Sequence, residues 1–200
     1  MAVNPDILRE MDVPSDAIIE TWDSITAKTV ILGRQILDFC EPEAPQEVYD
    51  LMAAMPRGAY HPVNILSRAF GYGSTSIIHP SISSYRQGGS ERTGFRYGDL
   101  PAPEIVEGRR ILVVDEVCDS GLTLEQTEKV LIARGAKSVA TAVLHYKPTK
   151  SENDFVPDFY VAETDKWVVY PWELYEHLGA RALAEEVHST IWLPDRAAAV

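Results

Sequence analysis

The chain has 200 residues, 46% of them apolar and 24% charged, with a formal net charge of −12 and a pI near 4.8. That length and mixture suit one folded domain with a good core and a small appendage, not a disordered chain. The acidity argues against a nucleic-acid-binding surface, no apolar stretch approaches membrane-spanning length, and Met-Ala-Val-Asn-Pro-Asp lacks a signal peptide's charge and apolar core, so a cytoplasmic protein is expected.

Thr21 can cap a helix running to about Phe39, with Asp23 in its first turn and Ile25, Leu32, Ile36 and Phe39 as its buried stripe. The Pro and Glu cluster from Glu41 to Glu47 stops it. Val48 to Met55 is expected to form the first central strand, followed by the tight loop Pro56-Arg57-Gly58. A helix carrying Val63, Ile65, Leu66 and Phe70 ends at Gly71 and Gly73. Ser76 to Ser84 reads as strand. From Arg86 to Arg110 the texture changes to five glycines, two prolines, many charges and few aliphatic side chains, which marks a functional or disordered segment. Strand 111–115 follows, then a helix to about Arg134 closing at Gly135, a strand from Val139 to Tyr146 and a short one from Phe159 to Glu163. Leu174 to Ile191 looks helical, with Leu183, Val187 and Ile191 on one face. The order predicts an α/β fold, a mostly parallel central sheet with helices on both faces.

Cys40 and Cys118 have no C-x-x-C spacing and read as reduced thiols. The histidines, at 61, 79, 145, 177 and 188, are too scattered for a zinc site, and no P-loop sequence occurs. The most informative segment is 111–124, Ile-Leu-Val-Val-Asp-Glu-Val-Cys-Asp-Ser-Gly-Leu-Thr-Leu. An apolar run ends in Asp115 and Glu116, then Asp119, Ser120, Gly121 and Thr123 lead into a helix. Small residues at a strand-to-helix junction let backbone N–H groups and hydroxyls converge on an anion. Three carboxylates beside such a cradle repel unless the ligand brings a cation or many hydroxyls, and a sugar phosphate with magnesium meets both demands. Asp119 or Ser120 as a mere helix cap would leave the Asp115-Glu116 pair idle.

This segment resembles the 5-phosphoribosyl 1-diphosphate (PRPP) signature of the type I phosphoribosyltransferases. Thr21-Trp22-Asp23, Pro56-Arg57-Gly58, Ser83-Ser84-Tyr85, Lys147-Pro148, Trp167 and Pro171-Trp172-Glu173 extend the likeness to the short microbial xanthine/guanine/hypoxanthine enzymes. The resemblance implies that family's fold over 20–175, with a flexible lid at 86–110 and a small hood. Residues 1–19 and 176–200 are then an N-terminal extension and a C-terminal helical extension. It also implies transfer of ribose 5-phosphate from PRPP to N9 of hypoxanthine, guanine or xanthine. Arg57 and Gly58 would bind diphosphate, although Ala59 stands where a second glycine is common. Ser120, Gly121, Leu122 and Thr123 would hold the 5-phosphate, and Asp115 and Glu116 the ribose hydroxyls and Mg2+, directly or through water. Asp119 would be the catalytic base or proton relay at N7. Lys147 would donate to the 6-oxo group, Trp167 would stack on the base and the backbone around Val168 would meet its C2 edge, while Trp172 reads as core. The implied partners are PRPP, a purine base and further copies of the chain in a dimer or tetramer.

Two alternatives stand beside this reading. A transferase for another nucleobase, such as a pyrimidine, would share the PRPP motif. A non-catalytic PRPP-sensing regulator would be expected to carry a basic nucleic-acid-binding segment and to lack the base-contacting lysine. The charge of −12 and the presence of Lys147 and Trp167 argue against the regulator.

Overall fold

A computed structural model describes residues 2–86, 92–179 and 192–193. The chain divides into two units, one of Ala27–Asp165 and one that joins Met1–Thr26 to Lys166–Val200. In chain order the elements are β1 (Ala2–Val3), α1 (Pro5–Glu10), β2 (Ile18–Ile19), α2 (Trp22–Cys40), α3 (Pro45–Val48), β3 (Leu51–Ala54) and α4 (Tyr60–Ala69). They continue with β4 (Ile77–Ile78), β5 (Ile82–Arg86), β6 (Arg92–Tyr97), α5 (Pro103–Val106), β7 (Arg110–Cys118) and α6 (Leu122–Ala133). The last are β8 (Ser138–Tyr146), β9 (Phe159–Glu163), β10 (Val168–Val169), α7 (Pro171–Leu178) and β11 (Trp192–Leu193).

The expected parallel sheet is present in the larger unit, with strand order β4-β3-β7-β8-β9 and every pairing parallel. Its central strands are apolar on both faces, as a doubly covered sheet requires: Met52–Ala54, Ile111–Val114 and Ala142–Leu144 are wholly buried. The chain leaves β3 toward β4 on one side, and leaves β7 toward β8 and β9 on the other. Right-handed crossovers in opposite directions put α4 and α6 on opposite faces, so a crevice opens between the carboxyl ends of β3 and β7. At the opposite end the same two strands are clamped. The Arg110 backbone N–H and Nε donate to Asp50 Oδ2 at 2.7 and 3.0 Å, and its Nη2 donates to Oδ1 at 2.9 Å. Those bonds hold the Asp50 carboxyl at about 2.

Several boundaries differ from the sequence expectation. Thr21 does cap α2, exchanging bonds with Ser24, but the buried stripe runs Ile25, Thr29, Leu32, Ile36, Cys40. Phe39, on the stripe's other flank, stays 65% exposed and meets Phe159 edge-on with 5.3 Å between rings. The first central strand starts at Leu51 and not at Val48, because Pro45 opens a one-turn helix in which Glu47 accepts the Ala44 N–H. Ser76 to Ser84 is not one strand. Pro80 lacks an N–H to continue a ladder, so Ile77–Ile78 joins the main sheet and Ile82 onward pairs antiparallel with β6. The 86–110 segment holds β6 and α5, while 87–91 lie outside the described residues. Strand β7 does not stop at the acids but continues through them to Cys118, because β8 runs on beside it.

In the smaller unit β2 pairs parallel with β10 and β1 antiparallel with β11. Val3, Ile7, Val169, Leu174 and Leu178 form its apolar cluster. The C-terminal helix is described only over Pro171–Leu178, so the expected continuation through Leu183, Val187 and Ile191 lies outside the described residues. Trp172 is half-buried instead of core. It stacks on Tyr170 at 5.0 Å with the rings 5° apart, and Trp22 lies tilted at 6.0 Å. Among the described residues no helix is long and apolar enough to cross a membrane.

Candidate functional site

Strand β3 ends at Ala54, opposite Val114, so Asp115 and Glu116 emerge from β7 where its neighbour has turned away. The turn after β3 carries the cis peptide Pro56–Arg57 and then Gly58. Gly58 lies against Glu116 so closely that a Cβ there would fall 2.0–2.3 Å from the carboxylate atoms. The two loops of the crevice thus meet at a glycine and an acid, with Arg57 exposed beside them.

Asp115 and Glu116 are half-buried neighbours, and the Glu116 N–H donates to Asp115 Oδ1 at 2.8 Å. Burial, and after it the charge of Glu116, holds the Asp115 carboxyl well above the usual carboxylate range. Burial first, then the charges of Asp115 and Asp119, pushes the Cys118 thiol up to about 12. Cys118 is therefore a packing residue at neutral pH and no thiolate nucleophile.

Beyond Cys118 the chain turns through Asp119, Ser120 and Gly121 into α6. Gly121 has φ +79°, a left-handed conformation that starts the helix without a side-chain cap. The first-turn N–H groups of Leu122, Thr123 and Leu124 point out of the helix start with no carbonyl of the helix to accept them. Asp115, Val117, Cys118, Asp119, Ser120, Gly121, Thr123 and Leu124 line one cavity of about 270 Å³. Most of the sequence-predicted phosphate and sugar residues thus share one concavity, at a helix N-terminus suited to an anion. Leu122 contributes its backbone position at the start of the helix.

Lys147 follows β8, and its N–H donates to the Cys118 carbonyl at 2.9 Å. Its Nζ lies 3.2 Å from Asp119 Oδ1, with the lysine side chain 12% exposed and the aspartate 39%. The resemblance implies separate roles for these two residues, and the fold makes them an ion pair. Trp167 and Val168 belong to the smaller unit, Trp167 57% exposed and Val168 buried on β10, where the Trp167 carbonyl accepts the Ile18 N–H.

Some residues of the site carried no assignment from sequence. Thr123 Oγ1 donates to Ser84 Oγ at 3.3 Å, which brings β5 onto the start of α6, and Gln126 Nε2 donates to Tyr97 on β6 at 3.0 Å. Ser84 lay in a recognised motif, so its signal was available. Asn153 and Phe155 close against Gly121, yet they sit in a polar stretch without periodicity, and no sequence signal marks them. Among the described residues no group of three or more His, Cys, Asp and Glu is arranged to hold a metal ion.

The family model for the phosphoribosyl transferase domain matches residues 21–177. The hypoxanthine-guanine phosphoribosyltransferase of Mycobacterium tuberculosis is 32% identical over 151 residues, covering 74% of this chain and 73% of that protein. The xanthine-guanine phosphoribosyltransferase of Roseobacter denitrificans is 27% identical over 161 residues, covering 77% and 84%. The crystal structure of a purine phosphoribosyltransferase from Pyrococcus horikoshii superimposes with a TM-score of 0.62 at 26% identity, over 78% of this chain and 93% of that one. With the match running through all five strands of the parallel sheet and both loops of its crevice, the chain belongs to the type I phosphoribosyltransferase family.

Proposed function

We propose that this phosphoribosyltransferase serves purine salvage, moving the 5-phosphoribosyl group of PRPP to N9 of hypoxanthine, guanine or xanthine with release of diphosphate. The observation that carries the reading is the Lys147–Asp119 pair beside the phosphate cavity. An ammonium has donors and no acceptor, so it suits the 6-oxo group and opposes the amino group of adenine. The carboxylate next to it suits a proton on the neighbouring N7. As the bond from C1′ to the diphosphate oxygen breaks, its electron pair leaves with diphosphate, N9 forms the new bond to C1′, and the N7 proton passes to Asp119. Asp115 and Glu116 accept the ribose hydroxyls and face the cation-like sugar carbon. Ser120, Gly121, Leu122 and Thr123 hold the 5-phosphate, and Arg57 and Gly58 meet the diphosphate. For Trp167 and Val168 the proposal rests on the family resemblance alone: an exposed indole that offers a stacking face to a base, and a strand backbone that reads its C2 edge. The 86–110 segment keeps the lid role that the resemblance implies, although 87–91 lie outside the described residues, and the bond from Thr123 to Ser84 on β5 supports it.

Mg2+ fits Asp115 and Glu116 as a donor set, since both offer hard carboxylate oxygens and a cation would offset the burial and, after it, the Glu116 charge that raise Asp115. Two carboxylates make no complete cage, which suits an ion that keeps waters and substrate oxygens. When bound, it would offset charge on the diphosphate leaving group.

Initial rates with PRPP, Mg2+ and each candidate base test the proposal. Turnover is expected with 6-oxopurines and not with adenine, uracil or orotate. Comparable rates with adenine or a pyrimidine would remove it.

A further inference from the structure

The loop between Lys147 and β9 is stitched to the phosphate loop along its length. At its start Lys147 bonds the Cys118 carbonyl and pairs with Asp119. Further on, the Glu152 N–H donates to the Ser120 carbonyl at 3.0 Å. Asn153 then turns inward. Its Nδ2 donates to Glu125 Oε2 at 2.8 Å, and the other oxygen of Glu125 meets Lys129 Nζ at 2.7 Å. A Cβ on Gly121 would lie only 2.6 Å from Asn153 Oδ1 and 2.8 Å from Phe155 Cβ, so Asn153 and Phe155 occupy the place a side chain at 121 would take. Lys129 and Asn153 together hold the Glu125 carboxyl below its ordinary range, the lysine contributing more.

We infer that Asn153 is a positioning residue for the 5-phosphate site, setting the pose of Ser120 and Gly121 by bridging the lysine loop to the first turn of α6. Glu125 sits in that turn, one residue past the cavity-lining Leu124, so the amide fixes the helix start and the loop backbone from behind. The anion meets only the front of the same backbone. Displacement of the N–H groups by a fraction of an ångström is enough to weaken phosphate binding, because several bonds depend on one geometry. The same strap fixes the distance between the phosphate loop and Lys147, which rests on the reading of Lys147 as the base-contacting lysine.

Asn153→Asp keeps size and shape but sets a carboxylate against Glu125. Asn153→Asp combined with Glu125→Gln restores an amide–carboxylate bond with its direction reversed. Calorimetry with Mg-PRPP alone reads the phosphate site without an acceptor base, so it reports on the strap even if no purine is turned over. Expected are a Kd for PRPP raised about tenfold in Asn153→Asp and restored to within about threefold in the double variant. Base KM, measured at saturating PRPP, should change less than PRPP affinity. A wild-type Kd for PRPP in the single variant, with only a lower Tm, would overturn the inference, as would a double variant no better than the single. Failure of wild-type protein to use any 6-oxopurine, with the PRPP effects intact, would instead count against the proposed substrate.

Discussion

The acids of the crevice differ in surroundings and should fail differently. Asp119 is paired with Lys147 at the cavity rim, whereas Asp115 is crowded by Glu116 and burial. Asp119→Asn should leave PRPP affinity nearly intact and lower single-turnover rates by about 10²–10⁴, the range for loss of a general acid or base. Because Lys147 loses its partner at the same time, Asp119→Asn and Lys147→Ala should be clearly non-additive in a double-mutant cycle; additive losses would mean that the pair does not act on one edge of the base. Asp115 carries a stability signature as well. Its folded pKa is raised, so its contribution is fully present below the unfolded carboxylate value of about 3.9 and is lost as pH rises toward the folded value. Asp115→Asn should therefore melt higher than wild type at pH 7, by about 2–4 °C for each kcal/mol regained, with the gap narrowing near pH 4. A variant that melts lower at both pH values would show that the carboxyl is stabilising where it stands.

The elements of the crevice depend on two kinds of constraint, one at each end of β3 and β7. At the amino end Asp50 and Arg110 fix the register. The Asp50 carboxyl, held at about 2, contributes stability that is present above the unfolded value and lost as pH falls through about 2. Asp50→Asn should cost about 2 kcal/mol at pH 7, read from urea unfolding, and the difference from wild type should vanish in strong acid. At the carboxyl end the constraint is steric. Gly121→Ala meets both a left-handed φ and the atoms of Asn153 and Phe155, and should lower stability and PRPP affinity together. Retained affinity in Gly121→Ala would mean the loop has slack to spare.

The whole molecule should respond to its donor substrate in its melting temperature. A ligand that binds only the folded state at about a hundred times its Kd adds about 2.7 kcal/mol, which at this chain length raises Tm by about 5–10 °C. Mg-PRPP should produce that rise in differential scanning calorimetry and ribose 5-phosphate a smaller one. No rise with PRPP at millimolar concentration would contradict the assignment of the crevice. The chain is acidic overall, at −12, and Arg57 and Lys147 are the two cationic residues that the proposed site uses. Salt should accordingly weaken PRPP binding only modestly compared with a basic nucleic-acid surface.

Much of this was legible in the order of residues. The apolar runs 111–114 and 139–146, the Asp-Ser-Gly-Leu-Thr turn and the glycine stops are local features, and local features fix strands, a helix start and an anion cradle without reference to anything distant. The α/β architecture followed from their alternation. Contacts across the sheet were not legible, because nothing in sequence spacing says which loops meet. Gly58 against Glu116, Asp119 against Lys147, Thr123 against Ser84 and Asn153 behind Gly121 all join residues far apart in the chain. Boundaries such as the start of β3 and the end of β7 also escaped the sequence, since a strand continues only as long as its neighbours run beside it. Chain order supplied the chemical groups, and the reversal of strand order between β3 and β7 brought the Arg57-Gly58 turn and the Asp115-Glu116 pair to one crevice.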